Sequence, residues 1–237
     1  MQAGTSRAVK AWDWPTRAFH WLLVLGIVSA MASHSFGHAM GDHTLIWHRW
    51  NGYFVLVLLV FRFIWGFVGS STARFAHFLR GPFFILSYVG DALRGRKRRF
   101  LGHNPLGSVV IFILLGGVFL QATLGLFTLE HNEIVAGPLK RLLSDEQTEL
   151  VSKLHVRGFN ILLAVIGLHI LANSLYGLFA GEPLITAMVT GKKPAAAYED
   201  GAEAEISAHV TRRAAITFLA AIIIVFGGIT ALGGKIL

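Results

Sequence analysis

Two histidines, His155 and His169, lie in one long apolar stretch that covers residues 154–177. They are fourteen residues apart, which is close to four turns of an α-helix, so both rings leave the same face of that helix. The helical rise places them roughly 21 Å apart along the axis. A helix that crosses a hydrocarbon core about 30 Å thick therefore holds one imidazole near each side of the membrane. Because ionisable groups inside a membrane helix are costly, the pair predicts a functional site.

The chemistry that two such imidazoles can support is metal coordination. Imidazole is a frequent axial ligand of haem iron, so the spacing favours one helix that serves two stacked haems, one in each leaflet. The chain has no cysteine. This excludes disulfides, thiolate-bound iron–sulfur clusters, covalent c-type haem attachment and a cysteine nucleophile. Any haem iron must then be held by histidine or methionine.

The composition indicates a membrane protein. Hydrophobic residues make up 54% of the 237 residues and charged residues only 14%, which excludes a disordered chain and disfavours an ordinary soluble domain. The net charge is +8, and the basic residues lie in the gaps between apolar runs. That pattern is typical of membrane topology and argues against a nucleic-acid partner.

Apolar runs long enough to span a bilayer occur five times in the sequence. We predict spans at residues 15–36, 45–68, 105–129, 149–179 and 213–232. Residues 82–93 predict a short interfacial helix between the second and third spans. We find no convincing signal-peptide cleavage site, so the first run is expected to be a retained span.

The positions of lysine and arginine predict the orientation. Fourteen of the 21 basic residues fall in the N-terminal segment, the connection between the second and third spans and the segment before the last span. With five spans these segments share one side, which the positive-inside rule places in the cytoplasm. We therefore expect a multi-pass protein of the bacterial inner membrane with a cytoplasmic N-terminus.

That topology sorts the histidines near the helix ends into two pairs. His20 lies on the cytoplasmic side with His169, and His48 lies on the outer side with His155. Two bis-histidine haems need this arrangement, so these four are the predicted iron ligands. Arg49 and Arg157 neighbour the outer pair and either bind haem propionates or anchor helix ends at the interface.

The other histidines are predicted to have simpler roles. We interpret His77, His103, His131 and His209 as solvated loop residues. A loop holds His34, His38 and His43; a metal cluster there has little support beyond Asp42, and a merely polar loop is the preferred interpretation.

Four motifs connect the chain to a known family. They are WDWPTRAFHW at the first span, WHRWNGYFVLVLLVFRFIWGFVGS at the second, RRFLGHNPLG before the third and LHVRGFNILLAVIGLHI at the fourth. The chain resembles the bacterial di-haem cytochrome b-561 family, which includes the b-type cytochrome subunits of Ni/Fe hydrogenases. The resemblance covers roughly residues 11–180.

The resemblance implies an all-α membrane protein built on a four-helix transmembrane bundle that holds two b haems. It carries the axial ligands over to His20, His48, His155 and His169. It also implies electron transfer between membrane quinone and a periplasmic partner, either a c-type cytochrome or an oxidoreductase such as a hydrogenase. No catalytic side chain is assigned, since the implied protein is an electron-transfer subunit of a quinone-linked oxidoreductase.

The fifth span departs from the family pattern. We predict a cytochrome bundle at residues 1–180, a cytoplasmic linker at 181–212 and an additional transmembrane helix at 213–237. The linker is long enough for the last helix to lie away from the bundle. That helix would then dock a partner or a second copy of the chain, or act as a plain membrane anchor.

Two other function classes remain open from the sequence. One is a quinone-linked oxidoreductase that acts directly on a small periplasmic substrate such as superoxide, which a basic outer surface at Arg49, Lys153 and Arg157 would favour. The other is a transporter or structural subunit without haem.

Overall fold

The computed structural model describes residues 8–40, 43–129, 136–201, 206 and 208–236. For residues 37–40, 43 and 44 it describes the backbone alone. Most of the described residues are helical, and they also form one small two-stranded sheet. The elements in chain order are β1 (Ala8–Lys10), α1 (Trp14–Met40), α2 (His43–Val68), α3 (Phe75–Phe78), α4 (Pro82–Leu93), α5 (Pro105–Gly125), α6 (Asp145–Ala180), α7 (Leu184–Thr190), β2 (Lys192–Pro194) and α8 (Val210–Ala231).

Helices α1, α2, α5, α6 and α8 are long and apolar enough to cross a membrane, which confirms the expected all-α membrane fold with five spans. The predicted short helix at residues 82–93 is α4. Helix α6 is the longest, with 36 residues, or roughly 54 Å at the helical rise. It is longer than the hydrocarbon core is thick, so its polar first turns from Asp145 extend beyond the core.

Two boundaries differ from the sequence prediction. Helix α1 continues to Met40, so His34 lies on a helix and not in a loop. Residues 33–40 contain no proline, so nothing in the backbone stops the helix from continuing past the apolar run. Helix α5 ends at Gly125, before Leu129. A 3₁₀ helix at Lys140–Leu142 follows the segment after α5.

Contacts divide the chain into two compact units. The first draws its described residues from Met1–Ala18, Ile64–Ile113 and Leu168–Ala214, and the second from Phe19–Phe63, Leu114–Gly167 and Ala215–Leu237. The division predicted from the sequence, into bundle, linker and additional helix, follows the order of the chain and not its contacts. That division stays a prediction.

The second unit has a core of aliphatic side chains from three helices. Val55 and Leu59 of α2 pack against Val118 of α5 and Leu162 of α6. Ser144 opens α6 with reciprocal bonds: its hydroxyl accepts from the Gln147 N–H, and the Gln147 side chain accepts from the Ser144 N–H. This capping box satisfies two groups that a helix start leaves free.

Helix α8 belongs to this packing through its residues from Ala215 onward. The ring of Phe226 lies 5.9 Å from that of Tyr53, and the ring of Phe218 lies 6.2 Å from that of Phe61. Both partners lie on α2. The expectation that the fifth helix lies apart is therefore wrong, because its aromatic side chains bury apolar surface against α2.

In the first unit, the described part of the segment predicted as a linker contains packed elements. Strand β2 pairs with β1 in antiparallel register, with Val9 opposite Lys193. Trp12, Leu101 and Ala187 form a buried cluster beside this sheet. The segment after α4 is bound to the same region, because Asp200 accepts from the N–H groups of Leu101 and Gly102.

Charged groups complete this packing. Arg98 forms a two-pronged ion pair with Glu199, and its guanidinium holds the pKa of that carboxyl below the ordinary value. Lys193 is buried and donates to the Phe100 carbonyl at 2.9 Å. Burial lowers the pKa of its ammonium group, since a low-dielectric environment disfavours the charged form.

Candidate functional site

His48 of α2 and His155 of α6 face each other within the second unit. Their ring centroids are 6.2 Å apart, and the ring planes are 85° from parallel. A ring nitrogen binds a metal at about 2 Å, and each nitrogen lies one ring radius from its centroid. The separation therefore fits one metal ion held between the two imidazoles. The structure brings together the two histidines predicted as a pair, and their role as iron ligands stays a prediction.

The hydrogen bonds of both rings identify the nitrogen that is left to bind a metal. His155 Nδ1 lies 3.0 Å from the Gln121 carbonyl oxygen. The Gln121 amide nitrogen lies 3.2 Å from the same Nδ1 atom. Because the carbonyl can only accept, we assign the proton to Nδ1, which leaves the lone pair of Nε2 free. His48 Nδ1 lies 2.9 Å from the Ser33 hydroxyl, whose own proton goes to the Ala30 carbonyl. His48 Nδ1 is therefore also the donor.

Such outer contacts fix the tautomer and orientation of a metal-binding histidine and increase its donor strength. The Gln121 side chain adds a second contact, because its amide donates to the His155 carbonyl at 2.8 Å. Gly125 lets α5 approach this ring closely: a Cβ at that position would lie 3.1 Å from His155 Cε1.

A cavity of about 250 Å³ adjoins the two rings, and α1, α2, α5 and α6 all contribute to its wall. Both histidines line it, together with Gly52. A Cβ built at Gly52 would meet nothing within 4 Å, so the wall is open there. Apolar side chains such as Val55 and Phe159 supply much of the remaining lining, which suits a flat, largely apolar cofactor.

Polar groups in the cavity wall are also available for a ligand. Arg49 Nε and the Tyr53 hydroxyl are buried, and neither has a hydrogen-bond partner among the residues that the structure describes. Both residues line the cavity. A buried donor without a partner is costly, and a guanidinium matches the geometry of a carboxylate. Arg49 therefore fits the acidic edge of a cofactor that carries carboxylates.

Arg157, the second predicted propionate partner, is exposed and does not belong to the described lining of the cavity. Its role stays a prediction.

His20 and His169 belong to different compact units, and their pairing stays a prediction. Both are half-buried. The ring of His20 lies 5.0 Å from that of Trp21. His169 has a neighbour one turn along α6, because the Asn173 amide nitrogen lies 3.2 Å from His169 Nδ1 and donates to the His169 carbonyl at 2.7 Å.

The remaining histidines are partly as expected. His209 is exposed, as predicted. His103 is not simply solvated, because its ring lies 4.6 Å from that of Trp12 and 4.9 Å from that of Phe78. His34 is exposed and lines the cavity.

The loop cluster predicted at residues 34–43 is tested only in part. The side chains of His38 and His43, like all of Asp42 and His131, lie outside the described residues. Over the described part of the chain, three or more histidine or acidic side chains nowhere come together as a metal site.

Sequence reasoning missed Ser33 and Gln121, the two residues that bind the ligand rings. Gln121 left a signal, because it carries a side-chain amide within an apolar span, and such residues often bond to another helix. Ser33 left no such signal in the sequence, because it lies in the stretch that we interpret as a loop.

The donor set fits a b-type haem. Two imidazoles with centroids 6.2 Å apart line a largely apolar cavity that has one arginine in its described wall. Histidine ligation from both sides without a cysteine is the pattern of a non-covalently held haem with no open iron position.

Known proteins support this assignment. Two relatives, both described as "Probable Ni/Fe-hydrogenase B-type cytochrome subunit", come from Azotobacter vinelandii and Azotobacter chroococcum mcd 1. Each is 26% identical over 145 residues, which covers 49% of this chain and 58% of the relative. The chain thus matches somewhat more than half the length of these relatives. The family model described as "Prokaryotic cytochrome b561" matches residues 11–191. The chain belongs to the prokaryotic cytochrome b561 family.

Proposed function

We propose that the chain carries electrons across the inner membrane through two bis-histidine b haems, between the quinone pool and a periplasmic redox partner. The observation that carries the proposal is the His48–His155 pair, with rings 6.2 Å apart and both Nδ1 atoms engaged by the protein. Bis-histidine ligation favours electron transfer over oxygen chemistry, because it leaves no free coordination position.

In this proposal the residues have separate roles. His48 and His155 hold the outer haem, and His20 and His169 hold the haem nearer the cytoplasm. Arg49 and Arg157 bind propionates at the outer edge. A bound haem supplies one-electron redox chemistry, and the protein sets its potential through ligands, hydrogen bonds and burial. Ser33 and Gln121 contribute by holding the outer ligand rings.

The names of the relatives support a redox complex as the setting. Both are described as subunits of a hydrogenase, so a periplasmic oxidoreductase or a c-type cytochrome is the proposed donor or acceptor. Quinone is the proposed mobile substrate in the membrane.

A second candidate is direct oxidation of superoxide at the outer haem. Arg49 in the cavity wall favours it, because a basic wall attracts a small anion. Lys153 favours it less, since its ammonium group is paired with Glu149. Reduction of the purified protein by superoxide in the absence of any partner would distinguish this activity from pure electron transfer.

The first test is haem content. Two ligand pairs predict two non-covalent b haems per chain, so a pyridine haemochrome assay on the purified protein should give a ratio near two. His48→Ala and His155→Ala should each remove one haem, and they should remove the same one. His20→Ala and His169→Ala should remove the other.

The matched control is His209→Asn, which changes an exposed histidine outside the spans and should leave both haems in place. Asparagine tolerates the positive φ of 56° at this position. A wild-type ratio of one or zero would contradict the proposal. So would the loss of one and the same haem in His20→Ala and His48→Ala.

A further inference from the structure

Helix α4 has an inverted distribution of polarity. Its outward stripe is apolar: Phe83 is 85% exposed, Leu86 66% and Leu93 84%. These positions follow the helical spacing of one face. A stripe of this kind is unusual on a protein surface that meets water.

Two polar residues on the other side of α4, Tyr88 and Asp91, are bonded within the first unit. The hydroxyl of Tyr88, a buried residue, lies 3.2 Å from that of Tyr176. Asp91 forms ion pairs with Arg96 and Arg98, each at 3.5 Å. Tyr88 and Asp91 of α4 are therefore bonded to protein groups, and the apolar stripe is left for the surroundings.

The position of α4 places that stripe beside the bilayer. The helix lies in the connection between the end of α2 at Val68 and the start of α5 at Pro105. This connection is attached to α5, since the Ser108 hydroxyl donates to the Phe78 carbonyl and the ring of Phe78 lies 6.1 Å from that of Phe112. Helix α4 is thus held near the level at which two spans leave the membrane.

Basic side chains flank the stripe. Arg80 precedes α4, and Arg94, Arg96 and Lys97 follow it, all exposed. Within the described residues, Arg94 and Lys97 form no ion pair, so their charges are available to the surroundings. An amphipathic helix with exposed aromatic and leucine side chains and nearby cations is the pattern of a segment that lies in the interface of an anionic membrane.

We propose that α4 lies in the membrane interface with Phe83, Leu86 and Leu93 among the acyl chains, and that Arg94 and Lys97 bind the headgroups of anionic phospholipid. The positive charges of Arg94 and Lys97 complement anionic headgroups, so the proposed occupant of the apolar stripe is a lipid leaflet and not a second protein.

The position of the stripe is tested with a spin label. The chain has no cysteine, so Leu86→Cys gives a single attachment site on the full-length protein in phosphatidylglycerol-containing vesicles. The label should collide often with oxygen and rarely with a water-soluble nickel complex. Lys192→Cys, on an exposed position of β2, is the control and should show the reverse. Frequent collisions with the nickel complex at position 86 would overturn the proposal. Protection from both reagents would also overturn it, because it would show a protein cover.

The charges are tested by lipid retention. Purified protein is exposed to equal amounts of phosphatidylglycerol and phosphatidylcholine, and the bound lipid is counted by native mass spectrometry. Arg94→Gln with Lys97→Gln should reduce the preference for phosphatidylglycerol, by roughly fivefold per charge. The matched control, Lys10→Gln with Lys192→Gln, removes two exposed charges from the β1–β2 pair and should leave the preference unchanged. An equal preference in both double variants would overturn the headgroup assignment.

Discussion

Ser33 controls how strongly His48 can donate to a metal. Its hydroxyl accepts from His48 Nδ1 at 2.9 Å and donates to the Ala30 carbonyl, which is itself a second acceptor near the ring. An acceptor on Nδ1–H gives the imidazole more negative character. A more electron-rich ligand stabilises oxidised iron more than reduced iron, and so lowers the potential.

Ser33→Ala should therefore raise the midpoint potential of the haem that His48→Ala removes. A hydrogen bond of about 1 kcal/mol corresponds to at most about 40 mV. The shift is smaller if the Ala30 carbonyl replaces the hydroxyl. Redox titration followed by optical spectroscopy measures it.

Ser29→Ala is the matched control, because the Ser29 hydroxyl accepts from Trp47 Nε1 at 3.1 Å and lies one turn before Ser33 on α1. It should leave both potentials unchanged. A downward shift in Ser33→Ala would contradict the assigned direction of the hydrogen bond.

At this scale the sequence indicated the candidate histidines, but not the polar residues that contact them. The periodicity that relates His155 to His169 exists within one helix, so it can be read from residue numbers. Ser33 and Gln121 act across helix interfaces. Which polar side chain meets which ring depends on the rotation of each helix, and hydrophobic patterning leaves that rotation weakly determined.

Helix α8 packs against the wall of the cavity on the side away from the cavity itself. No residue of α8 belongs to the described lining, yet Phe226 packs on Tyr53, which does line the cavity. One face of α8 is buried at helical spacing, with Thr217, Ala221 and Val225 among its members. The helix is thus a second layer of the site rather than a separate anchor.

Removing α8 should leave both haems bound but make the outer haem easier to lose. Ending the chain after Gly201 deletes α8 and keeps α7, β2 and Asp200 in place. Because the truncation leaves all four predicted ligands, the haemochrome ratio should stay near two, while the outer haem should dissociate at a lower temperature. Absorbance during heating measures this.

A milder variant, Phe226→Ala, should shift the dissociation in the same direction by a smaller amount. Its control is Ile223→Ala, an exposed α8 position that faces away from α2. If the truncated chain lacks either haem altogether, α8 belongs to the haem-binding core.

Elements outside the spans show why the packing of the segment before α8 could not be predicted from the sequence. Strands β1 and β2 have three residues each, and their partners lie more than 180 residues apart in the sequence. Such short strands lack a detectable alternation of polarity, and pairing over that distance leaves no local signal. The long helices, by contrast, carry the strongest signal that a sequence has.

For the whole molecule, the distribution of charge predicts which ends lie in the cytoplasm. Alkaline phosphatase fused after residue 132 should be active, because that position lies between the third and fourth spans on the predicted outer side. A fusion after Arg99 should be inactive, since it keeps all seven basic residues of the connection between the second and third spans, which is predicted to lie inside. Green fluorescent protein at the same positions provides the control and should give the opposite pattern. The reverse result at both positions would invert the topology.

If His48 and His155 hold a haem iron as proposed, the angle of 85° between their rings would have a magnetic consequence. The π orbital of each imidazole interacts with the iron d orbital that lies in the same direction. Parallel rings act on one orbital and split the pair, whereas perpendicular rings act on both and leave them nearly equal in energy. The unpaired electron of the oxidised form then keeps much of its orbital motion. Electron paramagnetic resonance at low temperature should give a highly anisotropic low-spin signal, and that signal should disappear in His155→Ala.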